Sequence, residues 1–424
     1  MRQCSRVDQI CLNYGYPEEF RTLLERIVKA ITVPETLSIV LLGSASRGEI
    51  VGQLGPRGLM LFSDLEIMVI TRHQSEARTR QKALSDIESL EVEQRAIGAC
   101  TFHIDVGYDT QRSWKRPHSE FHAWEIKQTG YVVFGEDVLD LIQVQVQPQS
   151  AIQSSLNRLW HLLLYFPASL LRRQSTQHDE QVFSYILSRA ILDFPLWLLV
   201  SNKVLVPGFT KRYDFLQAER EFFRQQDFPV DELIDWVKLA LEIRNAPTSE
   251  LLKERITPVY EAVLGWYSKM VLWTTKSRMI SDDLPILLQQ YRKQLYSPLG
   301  WKRRLWEARL AVEFAKTRRL RQGAHWLFEN KQLLITSFLW HMHQAAISYL
   351  NDDAPAATKW LALAASNMEE LWPRDYKRRN ADSFVDSWLA LRNRFFDFIP
   401  QFYRGLESKQ SYYRWILSDG YNSI

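Results

Sequence analysis

The chain has 424 residues, which indicates two or three domains because one domain usually spans about 100–200 residues. Hydrophobic residues make up 46% and charged residues 24%, a composition that excludes a disordered chain, a collagen-like fibre and a small disulfide scaffold. Lys and Arg total 53 against 49 for Asp and Glu, so the formal net charge is +4. This near balance makes a nucleic-acid partner unlikely, since such proteins usually carry a basic excess.

The cysteines and the apolar runs of the sequence indicate where in the cell the protein is expected. The cysteines are Cys4, Cys11 and Cys100; their number is odd and no CxxC occurs, so neither a disulfide framework nor a zinc ribbon is indicated. The chain does not open with a signal-peptide pattern. Its longest apolar runs, around residues 194–200, are shorter than the roughly 20 residues that cross a bilayer. We therefore expect a cytoplasmic protein without a membrane partner.

The first 147 residues alternate between strand and helix patterns, which predicts an α+β domain with a mixed sheet and flanking helices. An apolar stripe at helical spacing predicts a helix: Phe20, Leu23, Leu24, Ile27, Val28 and Ile31. Four β-rich runs predict strands at 37–42, 65–70, 101–106 and 131–134. Helical patterns near 76–93 and 119–128 separate them.

After Pro148 the sequence pattern is almost entirely helical. We predict a helical domain over 148–278 and an additional C-terminal helical bundle over 279–424. The predicted helices cover about 152–173, 181–200, 230–245, 249–274, 281–297, 301–320, 324–350, 355–371, 382–397 and 408–417.

Acidic side chains are concentrated in two of the predicted strands. Alternation along the strand puts Asp64 and Glu66 on one face and the apolar residues between them on the other. Asp105 stands between apolar neighbours on the third predicted strand, so pairing of the two strands would bring the three carboxylates together. Carboxylates this close repel each other unless cations lie between them, and hard oxygen ligands suit Mg²⁺. We predict that these three residues are metal ligands.

The segment Leu42–Glu49, which reads LGSASRGE, follows the first predicted strand. Gly43 allows close approach of the backbone, and the amide and hydroxyl of Ser44 can hold phosphate oxygens. Arg47 can add a charge-assisted contact. Together with the three carboxylates, this pattern suits two-metal phosphoryl transfer.

At these residues the chain resembles the DNA-polymerase-β-like nucleotidyltransferase superfamily, and Asp64-Leu-Glu66 is most similar to the kanamycin nucleotidyltransferase branch. The resemblance continues through 103–108 and 125–135 and covers about half of the chain. It implies transfer of a nucleoside monophosphate, AMP from ATP or another nucleoside triphosphate, to a hydroxyl of a small-molecule acceptor such as an aminoglycoside. It also implies two Mg²⁺ ions, release of pyrophosphate, a helical domain covering the site and a possible homodimer.

Two features depart from the family pattern. The 19 residues between Ser44 and Asp64 form a longer connection than the resemblance implies, and Ile50–Met60 reads as a flexible glycine-rich loop. Where the family has a glutamate as general base, this chain has His161. A histidine can accept a hydroxyl proton near neutral pH, and a metal-bound hydroxyl can also react without a side-chain base.

Other functions remain open on the sequence. The same chemistry could act on a protein or RNA acceptor, as in nucleotidyltransferase toxins, or on a second nucleotide, as in a second-messenger synthase. A non-enzymatic chain of this type would serve as a binding or scaffold module. Retention of all three acidic residues favours an enzyme.

Overall fold

The computed structural model describes residues 5–56, 58–73, 77–97, 102–246, 255–276, 283–295, 331–371, 383–402, 413, 416 and 417. They form two compact units. Unit 1 is the chain up to Ser150 together with Leu205–Ala218, and unit 2 is Ala151–Val204 with the described residues from Glu219 onward. The predicted α+β class, with a mixed sheet followed by helices, is confirmed. The separate domain predicted over 279–424 stays a prediction.

Unit 1 is built on a four-stranded sheet in the order β5-β4-β1-β7. Its strands are β1 (Thr36–Leu42), β4 (Leu65–Thr71), β5 (Ile104–Thr110) and β7 (Tyr131–Gly135). β1 is antiparallel to β4 and β7, whereas β4 and β5 are parallel. Two short pairs complete the strands, β2 (Gly52–Gly55) with β3 (Gly58–Leu61) and β6 (Pro117–His118) with β8 (Gln143–Val144).

Helices flank this sheet, and the two helical patterns predicted between the strands are confirmed. The helices of unit 1 are α1 (Arg6–Tyr14), α2 (Glu18–Ile31), α3 (Gly43–Ser46), α4 (Ala77–Ala96), α5 (Gln111–Trp114), α6 (Phe121–Thr129) and α11 (Phe209–Ala218), with a 3₁₀ turn at Leu139–Leu141. The stripe predicted on α2 is buried at Phe20, Leu23, Leu24, Ile27 and Ile31.

The two faces of the sheet carry different cores. Leu65, Ile67 and Val69 of β4 join residues of α1, α2 and α4 in one buried cluster. Ile70 lies in a second cluster with Trp114 of α5 and Ile126 of α6, and Met68 packs against that cluster. Strand alternation assigns Asp64 and Glu66 to the second face. The acidic residues therefore lie at the end of the face that α5 and α6 cover.

Two predicted segments differ from the structure. Ile50–Met60, predicted as a loop, contains most of the β2–β3 hairpin, because Leu59 and Leu61 are apolar enough to join the core over α2. The strand predicted at 101–106 begins later and runs to Thr110. Its pairing with β4 continues to that residue, so the ladder extends past the β-rich run.

Beyond Ser150 the described chain is helical except for its connections. The elements are α7 (Pro148–Leu156), α8 (Arg158–Leu164), α9 (Ala168–Leu171), α10 (Gln177–Ser201), α12 (Arg220–Arg224), α13 (Val230–Asn245), α14 (Ile256–Thr274), α15 (Leu284–Gln290), α16 (Arg292–Leu295), α17 (Lys331–Leu350), α18 (Ala354–Leu371) and α19 (Phe384–Phe402). The single helix predicted over 152–173 is three short ones. Pro167 precedes α9 and cannot continue α8, since proline lacks the amide that a helix interior uses. The helix predicted over 301–320 lies outside the described residues.

α10 is the one described helix that is long and apolar enough to cross a membrane, judged by length and composition. Within unit 2, 94% of its apolar window is buried, which is typical of the core helix of a soluble protein. Aromatic side chains pack within this unit; for example, the ring centroids of Phe166 and Trp388 lie 5.1 Å apart.

Candidate functional site

The pairing of β4 with β5 decides whether the predicted acidic residues meet. The two strands are parallel, and Glu66 is the register partner of Asp105. Paired strands lie about 4.8 Å apart, and register partners project to the same face of the sheet. The predicted strand pairing is thus confirmed, and Glu66 and Asp105 are neighbours across it.

A second contact fixes which face these side chains occupy. A Cβ atom on Gly107 of β5 would lie 2.9 Å from Sδ of Met68, so Gly107 and Met68 share a face. Residues two apart along each strand share that face too, which adds Asp105 on β5 and Glu66 on β4. Asp64 precedes β4 by one residue and continues its alternation, being partly buried where Leu65 is fully buried. We call Asp64, Glu66 and Asp105 the carboxylate trio.

The turn after β1 lies against Glu66, one member of this trio. Gly43 has φ +63°, and a Cβ atom there would lie 2.7 Å from Oε2 of Glu66. A side chain at this position would meet both the strain of the left-handed backbone and the Glu66 carboxylate. Position 43 therefore requires glycine for two reasons, the positive φ and the nearness of the Glu66 carboxylate. The Gly43–Ser46 turn lies beside the carboxylate of Glu66.

Hydrogen bonds from several directions hold this turn in place. The carbonyl of Ser44 accepts from the amide of Glu49 at 2.8 Å and from that of Arg47 at 3.3 Å. The hydroxyl of Tyr16 donates to the carbonyl of Ala45 at 2.7 Å, and that of Tyr14 donates to the carbonyl of Ser46 at 3.0 Å. Ser46 Oγ also donates back to the carbonyl of Gly43 at 3.0 Å. These hydrogen bonds fix the conformation of the short helical turn α3 beside Glu66.

Arg47, predicted as a phosphate contact, has two carboxylate partners. Its Nε donates to Oε2 of Glu49 at 2.9 Å, and its Nη1 lies 3.2 Å from Oε2 of Glu125. Burial would lower the pKa of Arg47, but attraction by Glu125 and Glu49, with a further contribution from Glu66, raises it. The side chain is 9% exposed. Its contact with phosphate stays a prediction.

A buried carboxylate on α4 anchors the start of β5. Oε1 of Glu91 accepts from the amide of Ile104 at 2.7 Å and lies 2.6 Å from Nδ1 of His103. Its other oxygen accepts from Arg95 at 2.7 Å. These contacts fix the residue next to Asp105 in the chain. Sequence reasoning missed Glu91 because two of its partners, His103 and Ile104, lie outside α4 and no local pattern links them to it. Only Arg95 is on the same helix.

His161, predicted as a general base, lies on α8 in unit 2. It is partly buried, and its ring centroid is 4.5 Å from that of Trp160. The carboxylate trio belongs to unit 1. The catalytic role of His161 stays a prediction.

The donor set suits a hard divalent cation. Three carboxylates from two neighbouring strands supply oxygen ligands of the kind that Mg²⁺ prefers, and their shared face lets a cation contact several of them. Within the described ranges, no group of three or more His, Cys, Asp or Glu side chains has the arrangement of a formed metal site. The oxygen atoms of the trio are of the kind that Mg²⁺ prefers, and binding of the cation stays a prediction.

Comparisons with known proteins add nothing to this geometry. No protein-family model matches the chain, and neither a curated protein nor a solved structure does. The candidate site therefore depends on the residues and contacts described above.

Proposed function

We propose that the chain is a Mg²⁺-dependent nucleotidyltransferase that moves a nucleoside monophosphate, AMP from ATP, to a hydroxyl of a small-molecule acceptor. The observation that carries the proposal is the close approach of Gly43 to the carboxylate of Glu66, one member of the trio. Glu66 and Asp105 are register partners, and the Glu66 carboxylate lies against Gly43. A polyphosphate held by the turn would thus lie beside oxygen ligands for its cations.

The proposed reaction exchanges one bond at the α-phosphorus for another. An acceptor oxygen forms a bond to the α-phosphorus, the bond from that phosphorus to the bridging oxygen of the β-phosphate breaks, and pyrophosphate leaves. The hydroxyl proton goes to a base or to solvent. When bound, Mg²⁺ supplies charge neutralisation of the triphosphate and activation of the acceptor hydroxyl.

The residues of the chain take separate tasks in this proposal. Asp64, Glu66 and Asp105 would hold the cations beside the α-phosphate. The backbone of Gly43 and the amide and hydroxyl of Ser44 hold the terminal phosphates. Because the surrounding hydrogen bonds fix the turn before substrate arrives, little reorganisation is needed on binding.

The deciding experiment incubates the protein with Mg²⁺ and ATP labelled at the α-phosphate. Release of pyrophosphate with transfer of label to a small hydroxyl compound supports the proposal. The Asp64→Asn variant should lose this activity and keep its fold, because it removes a ligand charge at nearly constant shape. Asp86→Asn is the matched control, since Asp86 is exposed on α4. Normal turnover by Asp64→Asn is incompatible with the proposal.

The same incubation separates the alternatives. Label on protein or RNA indicates a macromolecular acceptor, as in nucleotidyltransferase toxins. A cyclic or oligonucleotide product indicates a second-messenger synthase. Absence of Mg²⁺–ATP binding would leave a binding or scaffold module. A homodimer and a cytoplasmic location are part of the proposal and are tested by sedimentation and by cell fractionation.

Removal of the acceptor proton has two candidate routes. His161 would act as the base, as the sequence predicts, or the acceptor hydroxyl would lose its proton to solvent. His161→Gln decides between them. A loss of about 100-fold in kcat with disappearance of the acidic limb of the pH profile assigns the base to His161. An unchanged profile shows that His161 is not the base and that the proton goes to solvent.

A further inference from the structure

Four charged side chains of unit 1 form a second polar cluster behind the Gly43–Ser46 turn. Arg47 pairs with Glu49 and Glu125, and Nη2 of Arg212 donates to Oε1 of Glu125. The Arg212–Glu125 distance is 2.6 Å. Their side chains are 9%, 14%, 13% and 3% exposed for Arg47, Glu49, Glu125 and Arg212. We call these four residues the ion-pair network.

One end of the network holds the segment Leu205–Ala218, which joins unit 1 from far along the chain. Oε1 of Glu49 accepts from the amides of Phe209 at 2.7 Å and Thr210 at 3.3 Å. Oε1 of Glu125 accepts from the amide of Gly208 at 3.1 Å. Both carboxylates therefore bind the backbone where this segment enters α11.

The packing at this point is close. Gly208 has φ +78°, and a Cβ atom there would lie 2.8 Å from Oε1 of Glu49. The guanidinium groups of Arg47 and Arg212 lie 5.8 and 5.6 Å from the ring centroid of Phe209. Nε of Arg212 also donates to the carbonyl of Val206 at 2.9 Å. The segment is thus fixed by backbone, ring and charge together.

The other end of the network is continuous with the turn. The amides of Arg47 and Glu49 both donate to the carbonyl of Ser44, the residue expected to bind phosphate. Movement of either side chain would therefore pull on the turn. Two guanidinium groups and two carboxylates sum to zero charge, so the positive charge of Arg47 is largely balanced by its own partners.

We propose that Arg47 is a positioning residue, which with Glu49, Glu125 and Arg212 locks the Gly43–Ser46 turn to the segment Leu205–Ala218 and leaves neutralisation of the polyphosphate to other groups. The link between turn and segment is independent of substrate. The second half of the statement, on phosphate, rests on the proposed function. Removing one charge of the network should loosen the turn even when the substituted residue is Arg212, at the end of the network that binds the segment Leu205–Ala218.

The first test uses amide hydrogen exchange of the full chain without nucleotide. Glu125→Gln keeps the shape of the side chain and leaves both guanidinium groups short of a partner. We expect at least about tenfold faster exchange at the amide of Glu49, which reports on the turn, as well as at Gly208. Arg224→Met is the control, because Arg224 forms an exposed pair with Asp231 in unit 2. Unchanged exchange at the Glu49 amide would overturn the link.

A milder variant covers the case in which Glu125→Gln does not fold. Arg212→Lys keeps the charge but loses the fork that reaches both Glu125 and the carbonyl of Val206. The same acceleration at the Glu49 amide is expected, to a smaller degree. Acceleration confined to residues 206–212 would again contradict coupling to the turn.

The second test separates positioning from phosphate binding. If Arg47 positions the turn, Arg47→Lys and Glu125→Gln both weaken Mg²⁺–ATP binding, and the double variant is no weaker than the worse single one. If Arg47 binds phosphate, Glu125→Gln should tighten Mg²⁺–ATP binding by freeing the guanidinium, which would overturn the proposal. Failure of the wild type to bind Mg²⁺–ATP refutes the proposed function and the statement about phosphate. Hydrogen exchange then still tests whether the network couples the turn to the segment Leu205–Ala218.

Discussion

The carboxylate trio and the ion-pair network approach the Gly43–Ser46 turn from two directions and differ in how their charges are matched. In the network each carboxylate faces guanidinium groups, with Arg47 between Glu49 and Glu125. In the trio, three groups of one sign occupy one end of two adjacent strands. Like charges at this spacing are unfavourable unless a cation joins them. The network therefore has opposite charges paired within the fold, and a cation-binding role for the trio stays a proposal.

Glu66→Gln should produce the largest effect and should act on activity alone. It removes one cation ligand at constant shape, so we expect turnover to fall by at least about 10³-fold. The free energy of unfolding should change by less than about 1 kcal/mol, since the substitution removes repulsion within the trio and also the attraction between Glu66 and Arg47. The measurement is pyrophosphate release beside urea unfolding.

The same variant should lose the stabilisation that Mg²⁺–ATP gives the wild type, about 2.7 kcal/mol at a hundred times Kd. The control is Glu88→Gln, because Glu88 is exposed on α4. If Glu66→Gln keeps the nucleotide-dependent rise in Tm, Glu66 is not a cation ligand. The proposed contrast between the trio and the ion-pair network would then fail.

Glu125→Gln should show the opposite behaviour, with its main effect on stability. Breaking a buried ion pair leaves uncompensated charge, so we expect a loss of about 3 kcal/mol in the free energy of unfolding at pH 7. The exposed counterpart Glu221→Gln, which loses a pair with Arg224 in unit 2, should cost less than about 1 kcal/mol. Equal losses at the two positions would show that the network does not stabilise unit 1.

This effect should depend on pH in a known direction. Burial alone would raise the pKa of Glu125, but Arg212 and Arg47, the amide of Gly208 and His122 hold it below the ordinary value of 4.5. A carboxyl whose pKa is lowered by folding stabilises the protein above its unfolded pKa, and that stability is lost as pH falls through the folded pKa. The difference between wild type and Glu125→Gln should therefore be constant above about pH 5 and shrink at lower pH. A difference that grows on acidification would contradict the pairing.

Gly43→Ala tests the point where the turn meets the trio. Gly15 has nearly the same φ, +66° against +63°, but a Cβ atom at Gly15 meets nothing within 4 Å. Gly15→Ala should cost about 1 kcal/mol from the left-handed backbone, and Gly43→Ala about 1–2 kcal/mol more, because the Glu66 carboxylate must move. Turnover of Gly43→Ala should fall by about 10²-fold. Equal losses of stability in the two variants, with unchanged turnover, would show that the turn does not contact the Glu66 carboxylate.

Sequence patterns could anticipate the trio but not the network. Alternation along β4 and the β-rich run before Gly43 are local signals, and they placed Asp64 and Glu66 on one face and Gly43 at the end of a strand. Glu125 and Arg212, by contrast, are 87 residues apart, and no local period links them. The helix Phe209–Ala218 was not predicted, because its apolar spacing is weak and contacts with Glu49 and Glu125 fix its first turn.

The smallest effect concerns Tyr16, which holds the turn from a third direction. Its hydroxyl donates to the carbonyl of Ala45 at 2.7 Å, so Tyr16→Phe leaves a buried carbonyl without this donor and should cost about 1 kcal/mol of stability. Tyr14→Phe removes a longer bond, 3.0 Å, from a side chain that is 44% exposed, so the cost should be smaller, about 0.5 kcal/mol. Urea unfolding of both variants gives the comparison.

Turnover separates the contribution of Tyr16 from that of the ion-pair network. Turnover should change by less than about threefold in Tyr16→Phe, because Arg47 and Glu49 still bind the carbonyl of Ser44 through their amides. Suppose instead that Tyr16→Phe lowers turnover as strongly as Gly43→Ala. The turn would then be held mainly by α1 and the residues before α2, and the balanced charges behind it would serve only to attach the segment Leu205–Ala218.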